Sequence, residues 1–181
     1  MSITIKNISD YLEKIAPLNQ AEDFDNVGLL IGNETTEVKG VLVTLDTLEE
    51  TIDEAIKKNC NLIISFHPII FSGLKKINGN SYVERVVLKA IQNNIAIYAT
   101  HTALDNSKIG VSAKMCEVLG LTNYSILLPK EDSTIGMGMI GDLPKPMLED
   151  DFLTFTKKTF KTNGIRFSSK IGKHIKITNL S

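Results

Sequence analysis

Arginine is nearly missing from this chain. Only Arg85 and Arg166 occur among 181 residues, so the planar forks that clamp phosphates are scarce and positive charge rests on lysine. Net charge is missing too: 20 Lys and Arg stand against 21 Asp and Glu, for a net of −1. That balance gives no strong nucleic-acid signal and argues against life on an acidic membrane, though it leaves room for a local patch. Cysteine is limited to Cys60 and Cys116, too few for a disulfide framework or a cysteine-built zinc site. Both lie in apolar, helix-like contexts and read as buried free thiols of a reduced, cytoplasmic protein. No apolar run exceeds a few residues, so no membrane span is expected. Met1 to Ser9 lacks the charged start and apolar stretch of a signal peptide. Internal repeats and low-complexity segments are absent as well.

What is present is a globular balance, 43% apolar and 23% charged, over a length that suits one domain or one plus a partial second. Asn7 is placed to cap a short helix bearing Ile8, Leu12 and Ile15, which stops at Pro17. Gln20–Gly32 reads as loop. Val41–Leu45 and Leu62–Phe66 are continuous apolar runs, the mark of strands covered on both faces, and Ile95–Ala99 is a third strand. Between them, Leu48–Asn59 and Tyr82–Asn93 carry helical spacing, and Val111–Leu119 is a helix ended by Gly120. Strand, helix, strand, helix, strand implies an α/β fold: a mostly parallel sheet with crossover helices. After Leu128 the pattern changes. Pro129–Ser133 is a polar junction, Thr134–Gly141 suggests a strand, Leu148–Phe160 a helix, and His174–Thr178 a last strand. The expected organisation is an α/β lobe over 1–128 and an incomplete closing α/β segment over 129–181.

Chemistry-bearing residues follow the strands. The first strand ends at Asp46, the second at His67-Pro68, and the third at His101, with Asp105 four residues on. In an open parallel sheet, ligand sites gather beyond the carboxyl ends of the strands. His67, His101 and Asp105 are therefore expected to meet at one edge, with Pro68 stiffening the loop behind His67. Two imidazoles and a carboxylate are donors that zinc, manganese and iron share. Asp46 reads as a cap for the helix that follows, and Asp23, Asp25 and Asn26 as turn formers. His174 reads as structural. Gly136, Gly138 and Gly141 lack the Lys-Ser/Thr and the helix of a phosphate loop. Ser65 lacks the glycine-flanked elbow of a nucleophile.

Four runs now carry a resemblance: Asp25-Asn26-Val27-Gly28-Leu29-Leu30-Ile31-Gly32; Val43-Thr44-Leu45-Asp46; Leu62 to Phe71 with Gly73-Leu74-Lys75; and Tyr98 to Asn106. Together the chain resembles the dinuclear-metal, toroidal-hexamer family related to NGG-interacting factor three, also called type-two homologues of GTP cyclohydrolase I. The similarity runs from about Ile5 to Leu128, and Ile135–Lys176 looks like the start of that family's closing segment. The resemblance implies a two-metal site in a homohexamer, with ligands from a His-His pair, an Asp in a His-Thr-x-Leu-Asp segment, and a C-terminal His-x-x-x-Glu. His67 matches the second histidine of the pair, Asp105 the aspartate, and His101 a histidine lining the site. Phe66 stands where the first histidine is expected, and the C-terminal motif is not reached.

The expectation is thus one divalent ion (zinc, manganese or iron) or none. Two functions stay open. One is a metal-dependent, hydrolase-like protein acting on an unspecified small molecule, with His101 as general base where it is not a ligand. The other is a non-catalytic oligomeric scaffold with a degenerate site. A shortened gene product is a third possibility.

Overall fold

The computed structural model describes residues 2–170, 172 and 174–180. The chain forms two compact units, residues 1–107 and 108–181.

The first unit holds α1 (Ile5–Ile15), β1 (Gly28–Ile31), β2 (Val41–Thr44), α2 (Glu49–Lys57), β3 (Leu62–Ser65), α3 (Tyr82–Gln92), β4 (Ala96–Ala99) and the short α4 (His101–Asp105). Its sheet runs β1-β4-β3-β2. The three strands β2, β3 and β4 are parallel, and β1 is antiparallel to β4. The mostly parallel α/β sheet expected from the periodicity is therefore present. The central strands are covered on both faces. Ile63 and Ile97 pack with Ile52, Val86 and Val87 of α2 and α3, whereas Leu62, Ala96 and Tyr98 pack with Ile5, Ile8 and Leu12 of α1. Residues alternate faces along a strand, so adjacent apolar residues serve opposite cores.

Three local expectations are corrected. The cap of α1 is Thr4, whose Oγ1 accepts from Asn7 N while Asn7 Oδ1 accepts from Thr4 N, a reciprocal capping box. The expected loop over 20–32 contains β1, too short to show a period. The apolar run Val41–Leu45 is an edge strand rather than a buried one: Val43 is 75% exposed, because α1 covers β3 and β4 but stops short of β2.

The second unit holds α5 (Val111–Leu119), β5 (Thr122–Pro129), β6 (Gly136–Leu148), α6 (Glu149–Thr159) and β7 (His174–Leu180). The strands form an antiparallel sheet in the order β5-β6-β7. Strand β6 runs through Pro144 and Pro146, and its pairing with β7 shifts register between Asp142 and Met147, where the prolines offer no N–H. Cys116, Leu119, Met139 and Leu143 form its core, with Phe152 and Phe155 of α6 against them. Helix α5 and β5 thus pack with β6, and the two units divide between Ser107 and Lys108, where composition alone suggests Leu128 and Pro129.

Candidate functional site at the carboxyl edge of the first sheet

The backbone ladder continues past the ends of the parallel strands. Phe66 N donates to Thr44 O at 3.1 Å and His67 N to Leu45 O at 3.0 Å; Thr100 N donates to Ser65 O at 3.1 Å and His101 N to Phe66 O at 2.9 Å. These bonds set the post-strand segments side by side. The His67 and His101 rings come to a centroid separation of 5.5 Å, at 71°. Asp105 follows His101 by one turn of α4 and is partly buried. Burial pushes the Asp105 carboxyl up from its ordinary value; the field of His101 pulls it down, that of Asp25 pushes it up, and that of His67 pulls it down. Among the described residues, no three His, Cys, Asp or Glu side chains already stand at metal-ligand spacing.

Each histidine is held by its own aspartate. His67 Nδ1 lies 2.7 Å from Asp46 Oδ1. His101 Nδ1 lies 2.9 Å from both oxygens of Asp25. The Asp25 carboxylate also accepts from Thr102 N at 3.1 Å, from Thr102 Oγ1, and from Asn26 N at 2.7 Å. Its side chain is 0% exposed. Burial opposes ionisation of Asp25, but the bonds from Thr102, His101 and Asn26 outweigh it and hold the carboxyl below its usual range. An ionised Asp25 only accepts, so His101 Nδ1 donates to it, and in the neutral imidazole the lone pair then sits on Nε2. In His67 too, Nδ1 is the ring nitrogen that faces an aspartate, which leaves Nε2 clear of Asp46.

Further bonds brace the loop that carries Asp25. Glu22 N donates to Thr102 Oγ1 at 2.9 Å, and Asn106 Nδ2 donates to Gln20 O at 2.8 Å. Asn26 Nδ2 donates to Ile70 O, tying the loop before β1 to the loop after β3. His101 itself sits at φ +25°, an uncommon value for a residue with a Cβ. Strain of this kind persists where surroundings over-determine the residue, as the Asp25 and Phe66 contacts do here.

Two roles become visible only in the fold. Asp46 does not cap α2 with its side chain; the N-cap position is Leu48, and the Asp46 carboxylate turns to His67 because the β2–β3 ladder sets them together. Asp25 is the buried partner of His101 rather than a turn former. The signal for it was position: antiparallel β1 starts at Gly28, which pairs with Ala99, so the residues before it reach the same edge. His174 opens β7 of the second unit and is exposed. Phe66 lies 5.0 Å from the His67 ring and 5.6 Å from His101, edge-on to both, and brings to this cluster a side chain that has no donor atom.

A cavity of about 770 Å³ lies at the other end of this sheet, between Ile31, Gly32, Cys60, Asn61, Ile95 and Ala96. It holds no histidine or aspartate. The histidine–aspartate pairs are at the carboxyl edge, where ligands gather in parallel sheets.

A sheet of parallel strands with paired His–Asp couples beyond its carboxyl ends defines an α/β protein with an edge site. The chain belongs to the Duf34/NIF3 (NGG1p interacting factor 3) family, whose model matches residues 3–179. A Clostridium acetobutylicum protein named GTP cyclohydrolase 1 type 2 homolog is 35% identical over 177 residues, 97% of this chain and 66% of that protein. A Staphylococcus epidermidis protein of the same name is 38% identical over 146 residues, 81% of this chain and 39% of its own. The chain therefore spans about two thirds or less of the length of these curated relatives. In crystal structures, a Staphylococcus aureus hypothetical protein matches with TM-score 0.91 at 30% identity, over 99% of this chain and 71% of that one. A Bacillus cereus protein related to NIF3 shares the fold with TM-score 0.90 at 23% identity, over 99% of this chain and 76% of its own.

Proposed function

We propose that this chain is a metal-binding protein that holds one divalent cation through His67 Nε2, His101 Nε2 and the Asp105 carboxylate. The observation that carries this reading is the pair of Nδ1 contacts to Asp46 and Asp25, which leave both Nε2 atoms free and fix the ring orientations. Metal-binding histidines are commonly oriented in this way, by a carboxylate on the second nitrogen. The donor set fits one ion: two neutral imidazoles and one carboxylate suit zinc, manganese or iron. It does not fit two, since Phe66 has no lone pair and Asp105 is a single negative ligand. Closure onto the ion falls to Asp105, whose carboxylate is partly buried beside His101 and His67, with no side-chain hydrogen bond among the described residues.

A bound divalent ion supplies Lewis acidity and lowers the pKa of water, which is the basis of a hydrolase-like activity on a small molecule. Asp25 keeps the proton of His101 on Nδ1, Asp46 orients His67, and the Phe66 ring keeps one side of the rings dry. The name GTP cyclohydrolase 1 type 2 homolog belongs to the relatives, and no triphosphate cradle accompanies it here. Phe66 favours the second reading, a family scaffold without catalysis. The chain is further read as a cytoplasmic homo-oligomer: both cysteines are free thiols, and the edge strand β2 exposes Val41, Val43 and Leu45. No helix among the described residues is long and apolar enough to cross a membrane.

Zinc titration followed by calorimetry tests the reading. One equivalent per chain is expected, with His67→Ala and Asp105→Asn each weakening binding at least about tenfold. Two tight equivalents, or none, would overturn it. Zinc binding without hydrolysis of phosphoester or nucleotide substrates selects the scaffold reading.

A further inference from the structure

We infer that Phe24 and Phe71 form an aromatic subsite beside His101, and that the edge site takes a ligand bearing a flat aromatic ring. This deepens the metal-site reading by naming the ligand class, and it rests on different atoms.

Both rings stand out of the fold where burial would be the default. Phe24 is 66% exposed and Phe71 is 49% exposed. Their centroids are 6.3 Å apart, tilted at 49°, and Phe71 stands edge-on to His101 at 6.3 Å and 83°. The pair therefore continues a ring array that starts at Phe66, His67 and His101.

The backbone beneath each ring is held firmly. Phe24 sits in the turn closed by Asp25 N donating to Glu22 O at 2.9 Å, one residue before the buried Asp25 side chain. Phe71 follows Ile69, which is 6% exposed and packs in the core, and Ile70, whose carbonyl accepts from Asn26 Nδ2. Two anchored loops thus present aromatic faces to solvent at the rim of a His–Asp site. Aromatic faces prefer offset stacking or edge-on contact with another ring, which makes them selective for flat conjugated ligands over puckered aliphatic ones.

The test uses the whole 181-residue protein, freed of metal, and two probes matched in functional group: 2-naphthalenemethanol and its fully saturated counterpart. Ligand-observed NMR titration reads the affinity. The flat probe is expected to bind at least about tenfold tighter than the saturated one. Phe24→Ala and Phe71→Ala should each weaken it about fivefold or more, whereas Phe24→Tyr and Phe71→Tyr retain it. Circular dichroism melts confirm that each variant is folded, and zinc stoichiometry should be the same in all four. Equal affinity for the two probes, or no loss in the alanine variants, would overturn the inference. So would alanine variants that change the mass of the particle in solution and leave probe binding alone, since the pair would then be a contact between subunits. A protein that binds the flat probe and no zinc sinks the metal reading and leaves the aromatic subsite standing.

Discussion

Asp25 and Asp105 lie near the same two histidines and have opposite environments. Asp25 is enclosed and saturated with donors, so its folded pKa lies below its unfolded one. Its stabilisation is complete above the ordinary aspartate value and is lost as pH falls through the folded value. Removing it by Asp25→Ala strands the Thr102 and Asn26 N–H groups and the His101 Nδ1–H. A loss of about 2–4 kcal/mol in urea unfolding at pH 7 is expected. Asp105 is the reverse: burial raises its pKa by more than the fields of His101 and His67 lower it, and no hydrogen bond among the described residues compensates. Between the ordinary and the raised value, the folded state keeps a proton that the unfolded state has released, so stability falls as pH rises. Asp105→Asn should therefore stabilise the protein at pH 7, read as a higher urea midpoint, and the gain should shrink as pH falls through and below the ordinary aspartate range, where both states become protonated. His67 and His101 were legible in the sequence because each ends an apolar run. Asp25 was not, because nothing in Asp25-Asn26-Val27-Gly28 distinguishes a turn from a buried carboxylate until β1 is known to run antiparallel.

At the level of elements, β3 and β4 were readable because both faces of each are buried, which leaves an unbroken apolar run. The same composition misled at β2, since a run of Val, Leu and Val records what a strand is made of and not what lies above it. Strand β1 went unread because its four residues carry no period, and its placement depends on glycine. Gly32, just past its end, has φ +113°, and a Cβ there would meet the Ala96 Cβ at 2.5 Å and its Cα at 3.0 Å. No flexible side chain can yield at that contact. Gly32→Ala should cost on the order of 3 kcal/mol, part backbone strain and part overlap with β4, seen as a lower urea midpoint. Gly164→Ala is the control: its Cβ would meet nothing within 4 Å, and a change within about 0.5 kcal/mol is expected. If the two variants lose equal stability, the close approach of β1 to β4 is not what holds this edge of the sheet. The loop carrying Asp25 leads directly into β1, so Gly32→Ala should also loosen His101, visible as weaker zinc binding in the folded variant.

For the whole molecule, the feature that governs assembly is the exposed strand β2 at the edge of the first sheet. Val41 is 38% exposed, Val43 75% and Leu45 60%, and the outer edge of the strand has no neighbour in its sheet. An exposed apolar edge strand invites another chain, and proteins that remain monomeric usually blunt such edges with lysine, proline or a bulge. Val41-Leu42-Val43-Thr44-Leu45 has none of these. Its outward residues Val41, Val43 and Leu45 are spaced evenly about Val43, so an antiparallel copy of the strand would set apolar side chains opposite apolar side chains around a two-fold axis. Self-association through this edge is therefore expected, and light scattering at tens of micromolar should give a mass above the 20.0 kDa of one chain. Val43→Lys places like charges opposite each other in such a pairing and should bring the mass down to that of one chain. Because Val43 is mostly exposed within a single chain, the same variant should leave the unfolding free energy of the isolated chain within about 0.5 kcal/mol of its parent. A wild-type protein that stays monomeric under these conditions removes the edge from consideration, and with it the argument that this chain assembles through β2.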